Sequence, residues 1–303
     1  MSQQPVNRPH AVCPLTDPIA LTALYDNNAS PRNQADLKAL QACSAAAFDS
    51  PTLDHERVAL GERDSEWADV FRPKVGRGPW PALLFVHGGR WQLNTSRETS
   101  FWAQACCDAG LAFVGLNFPP LAAVGLPAQV AAVARGIEAV RQRSEALALD
   151  TAALALAGHS SGAHLALSAL LLHPPAVMPR ALLLLGGLYD LAPLRLTAHQ
   201  ASLDFSAEVA ATCSPLHLLH TAGRALRLPR TLVAVGSDES SEFIRQSRAL
   251  HEALQPHTDA AWLEVPRTAH FDAALAFNTR ELATWATGGM RSFITHALNE
   301  ASS

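Results

Sequence analysis

A serine, a histidine and a carboxylate can together cleave an acyl bond, and this sequence offers candidates for all three. Ser160 lies in Gly158-His159-Ser160-Ser161-Gly162, a G-x-S-x-G pattern. The apolar run Ala152 to Ala157 leads into it, and an apolar helical pattern, Ala163 to Leu170, follows. A strand turning sharply into a helix there would force Ser160 into a strained backbone conformation and lift its hydroxyl clear of the sheet. Alone, the five residues could equally be a glycine-bracketed turn without chemistry, so partners are required. A serine hydroxyl needs a base to take its proton, and the base needs a carboxylate to fix its tautomer and stabilise the imidazolium. His270, the only histidine of the last loop, Pro266 to Phe271, is the candidate base. The candidate acids are Asp238 and Glu239, adjacent in the loop after Gly236, with Glu242 a weaker third. Residue chemistry does not choose between the first two, because a surplus carboxylate would form a solvated rim or cap the next helix.

Such a reaction also needs backbone N–H donors where negative charge develops on the substrate oxygen. One is expected from Ser161, the other from Gly88 or Gly89 in His87-Gly88-Gly89, where absent side chains let substrate approach the backbone. Two further histidines flank the nucleophile, His159 as filler of the turn and His164 as packing beneath it. His217 and His220 have an i,i+3 spacing but no accompanying carboxylate or cysteine, so a surface or cap role is expected and no metal.

These residues need a scaffold that delivers them to one edge. Short apolar runs at Pro79–Val86, Leu111–Phe118, Ala152–Ala157, Arg180–Gly186, Arg230–Gly236 and Ala260–Val265 read as buried strands. Trp67 to Pro73 reads as an earlier, antiparallel strand. Helical patterns occupy Phe101 to Ala109, about Pro127 to Leu147 with Val130, Val133, Ile137 and Val140 on one stripe, and about Arg280 to Leu298. Strands alternating with amphipathic helices predict an α/β fold with a mainly parallel sheet covered on both faces. Residues 1 to 20, with Pro5, Pro9, Pro14 and Pro18, predict an irregular arm, followed by helix from Ile19 to about Ala47, interrupted at Pro31. Residues 21–303 are expected to form one domain with a small cap-like insertion at about 188–228.

With 303 residues, 49% of them apolar, the chain can bury a large core. Its formal net charge of −4 and lack of a basic run argue against nucleic acid or anionic membrane as a partner. No run has signal-peptide or membrane-spanning length. The five cysteines, with Cys106 and Cys107 adjacent, point to reduced thiols and a cytoplasmic setting.

At this point the residues resemble the α/β-hydrolase superfamily, and within it the arylformamidase (kynurenine formamidase) and hormone-sensitive-lipase-like esterase branch. His87-Gly88-Gly89-Arg90-Trp91 looks like that branch's H-G-G-x-W, and Gly158 to Leu165 looks like its G-H-S-A-G-A-H-L. Tyr25-Asp26-Asn27-Asn28 resembles its Y-N-N lead-in, Gly187 to Leu191 and Ser214-Pro215 its cap entry and exit, and Ala269-His270-Phe271 its histidine turn. The resemblance covers roughly residues 20 to 298. It implies Glu239 as the acid, with Asp238 the runner-up, and an α/β-hydrolase fold with a small cap. Arg90 departs from the aromatic residue common there: it is either an exposed surface arginine or a guanidinium at the pocket mouth that would attract a substrate carboxylate. Trp91, Tyr189 and Phe271 are expected pocket walls, with His87 and His159 also near the substrate. The resemblance implies a serine hydrolase without a cofactor, acting on a small-molecule ester or amide such as an aryl formamide of the N-formylkynurenine type. A short-chain carboxylesterase shares every motif, and a non-catalytic hydrolase-like protein binding a small ligand is a remoter alternative. A homodimer remains open as its assembly.

Overall fold

The strands pair into one eight-stranded sheet in the order β1-β2-β4-β3-β5-β6-β7-β8. They are β1 (Leu53–Ala59), β2 (Trp67–Pro73), β3 (Trp80–Val86), β4 (Ala112–Leu116), β5 (Leu149–His159), β6 (Ala181–Leu185), β7 (Arg230–Gly236) and β8 (Ala260–Val265). β1 pairs with β2 and β2 with β4 antiparallel, whereas every pair from β4 across to β8 is parallel. The computed structural model describes residues 16–223 and 225–276.

Alternation along the central strands splits the core into two layers. Leu84 and Val86 of β3, Leu182 and Leu184 of β6, and Val233 and Val235 of β7 face one side. There the helix Leu126–Gln142 lays down its expected stripe of Val130, Val133, Ile137 and Val140, all buried. Leu83, Phe85, Leu183, Leu185, Leu232 and Ala234 face the other side, against helix α2 (Pro31–Phe48) through Leu40 and Ala47. Strands buried on both faces read as continuous apolar runs, which is why these were visible in the sequence.

Two local readings differ from the sequence expectation. β1 was not anticipated, because Asp54, His55, Glu56 and Arg57 give it the charged, mostly exposed character of an edge strand. Residues 1–15 of the expected arm lie outside the described residues, and helix α1 (Pro18–Tyr25) begins before the arm's expected end at residue 20, its cap the Asp17 carboxylate, which accepts from Ala20 N at 3.0 Å. Pro18 occupies the first turn, where its missing N–H costs nothing. Between β6 and β7 lie a short 3₁₀ turn, Pro193–Leu196, and the helices Gln200–Leu203, Ala207–Cys213 and Pro215–Thr221. The helix expected from about Arg280 to Leu298 lies outside the described residues.

Candidate active site

Parallel sheets of this kind place loops for chemistry at the C-terminal ends of their strands. Ser160 follows β5 directly and carries φ 57° and ψ −128°, a conformation that costs a non-glycine residue roughly 1–3 kcal/mol. Packing enforces it. The Ser160 N–H donates to Leu185 O at 2.9 Å, and the helix Ser161–Leu172 starts at once, buried on every side from Ser161 to Leu170. Gly162 permits the sharp entry, since a Cβ there would lie 2.1 Å from Val86 O and 2.4 Å from His87 O.

His270, in the loop after β8, directs Nδ1 at Glu239 Oε2 across 2.7 Å, with the two side chains 2% and 0% exposed. A carboxylate at Nδ1 keeps the proton on that nitrogen and leaves the Nε2 lone pair available. Glu239 is itself oriented by Gly236 N–H, which donates to Oε1 at 3.0 Å. Asp238 turns the other way and pairs with Arg32 at 2.8 Å, a hydrogen bond that lowers its pKa below the usual carboxylate value. Glu242 is buried and engaged by Tyr25 Oη at 2.7 Å and by Arg245 Nε at 2.8 Å. Of the three carboxylates, only Glu239 meets the histidine.

The His159 ring is buried against His270, with ring centroids 4.7 Å apart. Its Nε2–H donates to His270 O at 2.9 Å, which ties the histidine turn to the end of β5. Burial, then the neighbouring His270, lowers the His159 pKa to about 3, so this imidazole is neutral. Gly88 lies against the serine turn, because a Cβ there would approach the Ser160 Cβ to 3.0 Å. Ser161 N–H opens its helix and therefore has no intrahelical acceptor. Gly89, Arg90 and Trp91 all have positive φ, of 128°, 52° and 63°, and form a left-handed turn beside the serine.

One cleft of about 950 Å³, counted out to its mouth, unites Ser160, His270, His159, Gly88 and Gly89. Trp91, Arg90 and Phe271 also line it. His87 and Tyr189 do not. His87 stacks on Phe118, ring centroids 4.4 Å apart, and its Nδ1–H braces the Gly88 carbonyl at 2.9 Å. Tyr189 is fully buried, with its hydroxyl against Gly187. Arg90 stands in the cleft wall, but Nη2 donates to Asp26 Oδ1 at 2.6 Å and Nη1 to His199 Nδ1 at 3.3 Å, so its charge is already matched.

Several residues are given pocket or supporting roles that the sequence reading did not assign to them. Tyr25, Asn28 and Leu37 from the N-terminal segment and Leu188, Leu194 and Leu203 from the insertion complete the cleft. Phe243 packs edge-on against His270 at 4.9 Å. Gly186, with φ 51°, leaves room for the acid and base: a Cβ there would sit 2.8 Å from Glu239 Oε1 and 3.3 Å from His270 Nδ1. His164 Nδ1 accepts the Trp91 indole N–H at 3.1 Å, and its Nε2–H donates to Cys213 O at 2.8 Å. The signal for that link was a histidine with Ser168 four residues on, on one face of an otherwise apolar helix. His217 and His220 are exposed on Pro215–Thr221, and no group of three or more potential metal ligands occurs among the described residues.

A mainly parallel sheet entered by an antiparallel pair, with a cleft at its C-terminal strand ends, is the architecture of an α/β-hydrolase. The family model described as BD-FAE matches residues 68–175. The kynurenine formamidase of Salmo salar is 30% identical over 224 residues, which take in 71% of this chain and 74% of that protein. The kynurenine formamidase of Danio rerio is 28% identical over 219 residues, covering 71% and 73%. In three dimensions, a hyperthermophilic esterase from Pyrobaculum calidifontis superposes with a TM-score of 0.66 at 19% identity, over 91% of this chain and 97% of that one. The chain belongs to the arylformamidase and esterase-like family of α/β-hydrolases, and it is a hydrolase. No helix among the described residues is long and apolar enough to cross a membrane.

Proposed function

We propose that the protein is a serine hydrolase that cleaves a small acyl amide or ester, in the manner of an arylformamidase. The observation that carries this reading is the buried Glu239–His270 pair opening on the same cleft as Ser160 at its strained turn. Ser160 Oγ attacks the acyl carbon while His270 Nε2 takes its proton. Glu239 holds His270 in the required tautomer and stabilises the imidazolium. The N–H groups of Ser161 and of Gly88 or Gly89 receive the oxyanion. Collapse of the tetrahedral intermediate expels the amine or alcohol, protonated by His270, and leaves an acyl group on Ser160. Water, activated by His270, then releases the acid and regenerates the serine. The short helices at about 188–228 act as a cap that closes the cleft over the acyl donor.

The kynurenine formamidase relatives favour a formyl group on an aryl amine, as in N-formylkynurenine. A panel of aryl formamides and p-nitrophenyl esters of graded acyl length tests this. The reading expects kcat/KM for formate release to exceed that for the best ester by more than about tenfold. A preference for esters by the same margin would make the protein a short-chain carboxylesterase using the same residues.

A further inference from the structure

The loops that carry Glu239 and His270 are both fastened to the N-terminal helices. Arg32, in the first turn of α2, donates from Nη1 to Asp238 Oδ2 at 2.8 Å. Its Nη2 donates to Arg267 O at 2.5 Å and to Asp272 Oδ2 at 2.7 Å. One guanidinium therefore spans the acid loop and the histidine loop. Asp238 immediately precedes Glu239, and Asp272 follows His270 by one intervening residue. Asp272 Oδ1 also accepts from Ala269 N at 2.5 Å, so the carboxylate that binds Arg32 shapes the turn bearing His270. On the far side of the acid, Ser240 Oγ donates to Leu24 O at 2.6 Å. Both chain neighbours of Glu239 are thus tied to the segment that precedes the sheet.

We infer that Arg32 is a positioning residue, clamping the two loops so that the His270 imidazole stays seated on the Glu239 carboxylate. The inference rests on the proposed roles of Glu239 and His270. The Arg32 side chain is 46% exposed, and exposed ion pairs add little to stability. What it supplies is geometry: a planar fork reaches three acceptors on two loops, which a lysine ammonium does not reproduce. His270 is faced by Glu239 from the β7 loop, neutral His159 from β5 and apolar Phe243 from the helix Ser241–Leu254. Asp238, Asp272 and Arg267 lie on the outer side with Arg32, and Asp36 is 3.9 Å from its Nε.

The test uses the full chain with Arg32→Ala, Arg32→Lys and Asp238→Asn, following thermal stability, kcat and KM. Arg32→Ala is expected to lose about tenfold in kcat with KM within about twofold. Arg32→Lys should fall between it and the parent, and Asp238→Asn should lose less than Arg32→Ala. Millimolar guanidinium should restore Arg32→Ala, whereas sodium chloride at equal ionic strength should not. Should Arg32→Ala not fold, the Lys and Asn variants decide by the same kcat and KM readouts. Unchanged kcat, or losses that appear in KM alone, would overturn the clamp. Ser160→Ala and His270→Ala separate the two levels. If they keep activity, the underlying roles fail; if they are inactive while Arg32→Ala matches the parent, only the clamp fails.

Discussion

Replacing Glu239 by Gln removes one negative charge and almost no volume, which makes it the sharpest probe of how His270 is used. The carboxylate sits 2.7 Å from Nδ1 with neither side chain meaningfully exposed. Opposite charges about 4 Å apart, at an effective dielectric of about 20, interact by about 4 kcal/mol. That attraction exists only once His270 holds the serine proton, so it lowers the barrier and leaves substrate binding alone. Its loss corresponds to a drop in kcat of about a thousandfold. The glutamine oxygen can still accept from Gly236 N–H, so the loop keeps its bond and the fold should survive. Steady-state kinetics on a reactive ester, with a thermal melt as control, should give a large kcat deficit and a nearly unchanged KM. Asp238→Asn, which touches Arg32 and not His270, should stay within about tenfold of the parent. A Glu239→Gln variant within about threefold of the parent, with Asp238→Asn down about a thousandfold, would refute the assignment of the acid.

Three other perturbations are informative. Gly186→Ala places a Cβ 2.8 Å from Glu239 Oε1 at φ 51°, and should cost about 1–3 kcal/mol in denaturant unfolding while lowering kcat; parental stability and rate would show that this close approach is unimportant. Burial lowers His164 to about 4 and His159 to about 3, so stability is complete above the unfolded histidine pKa near 6.5 and falls as pH drops towards those values. Each neutral histidine contributes a slope of about 1.4 kcal/mol per pH unit in that window, and His164→Asn should remove one such increment; an unaltered slope would contradict it. Arg90 and Asp26 neutralise each other at the cleft wall, so Asp26→Asn should raise relative rates on anionic substrates and Arg90→Ala should lower them. Identical anionic-to-neutral ratios in both variants would exclude any role for Arg90 in substrate charge.

What could be read from the amino acids alone follows from range. The doubly buried strands announce themselves as apolar runs, and Ser160 is flanked by the strand, the helix and the glycines that its turn requires. β1 was invisible because an edge strand carrying Asp54, Glu56 and Arg57 alternates without an apolar face. Asp238 and Glu239 were equivalent as neighbours in a loop. Only the fold turns one towards His270 and the other towards Arg32, a residue more than two hundred positions away. Tyr189 and His87 carry suggestive chemistry within recognisable motifs, yet the first is sealed in the core and the second braces the back of the glycine loop. The covering of the cleft by Tyr25, Asn28 and Leu37 is likewise a long-range packing outcome. A lead-in motif can hint at such a segment but cannot say what it touches.

The central claim is that Ser160 becomes acylated. Intact-mass analysis and peptide mapping after reaction with an active-site serine phosphonate test it most directly. The account predicts a single adduct on Ser160 that forms as hydrolysis is lost, with neither adduct nor hydrolysis in Ser160→Ala. An adduct on another residue, or a Ser160→Ala variant that hydrolyses substrate at the parental rate, would contradict it.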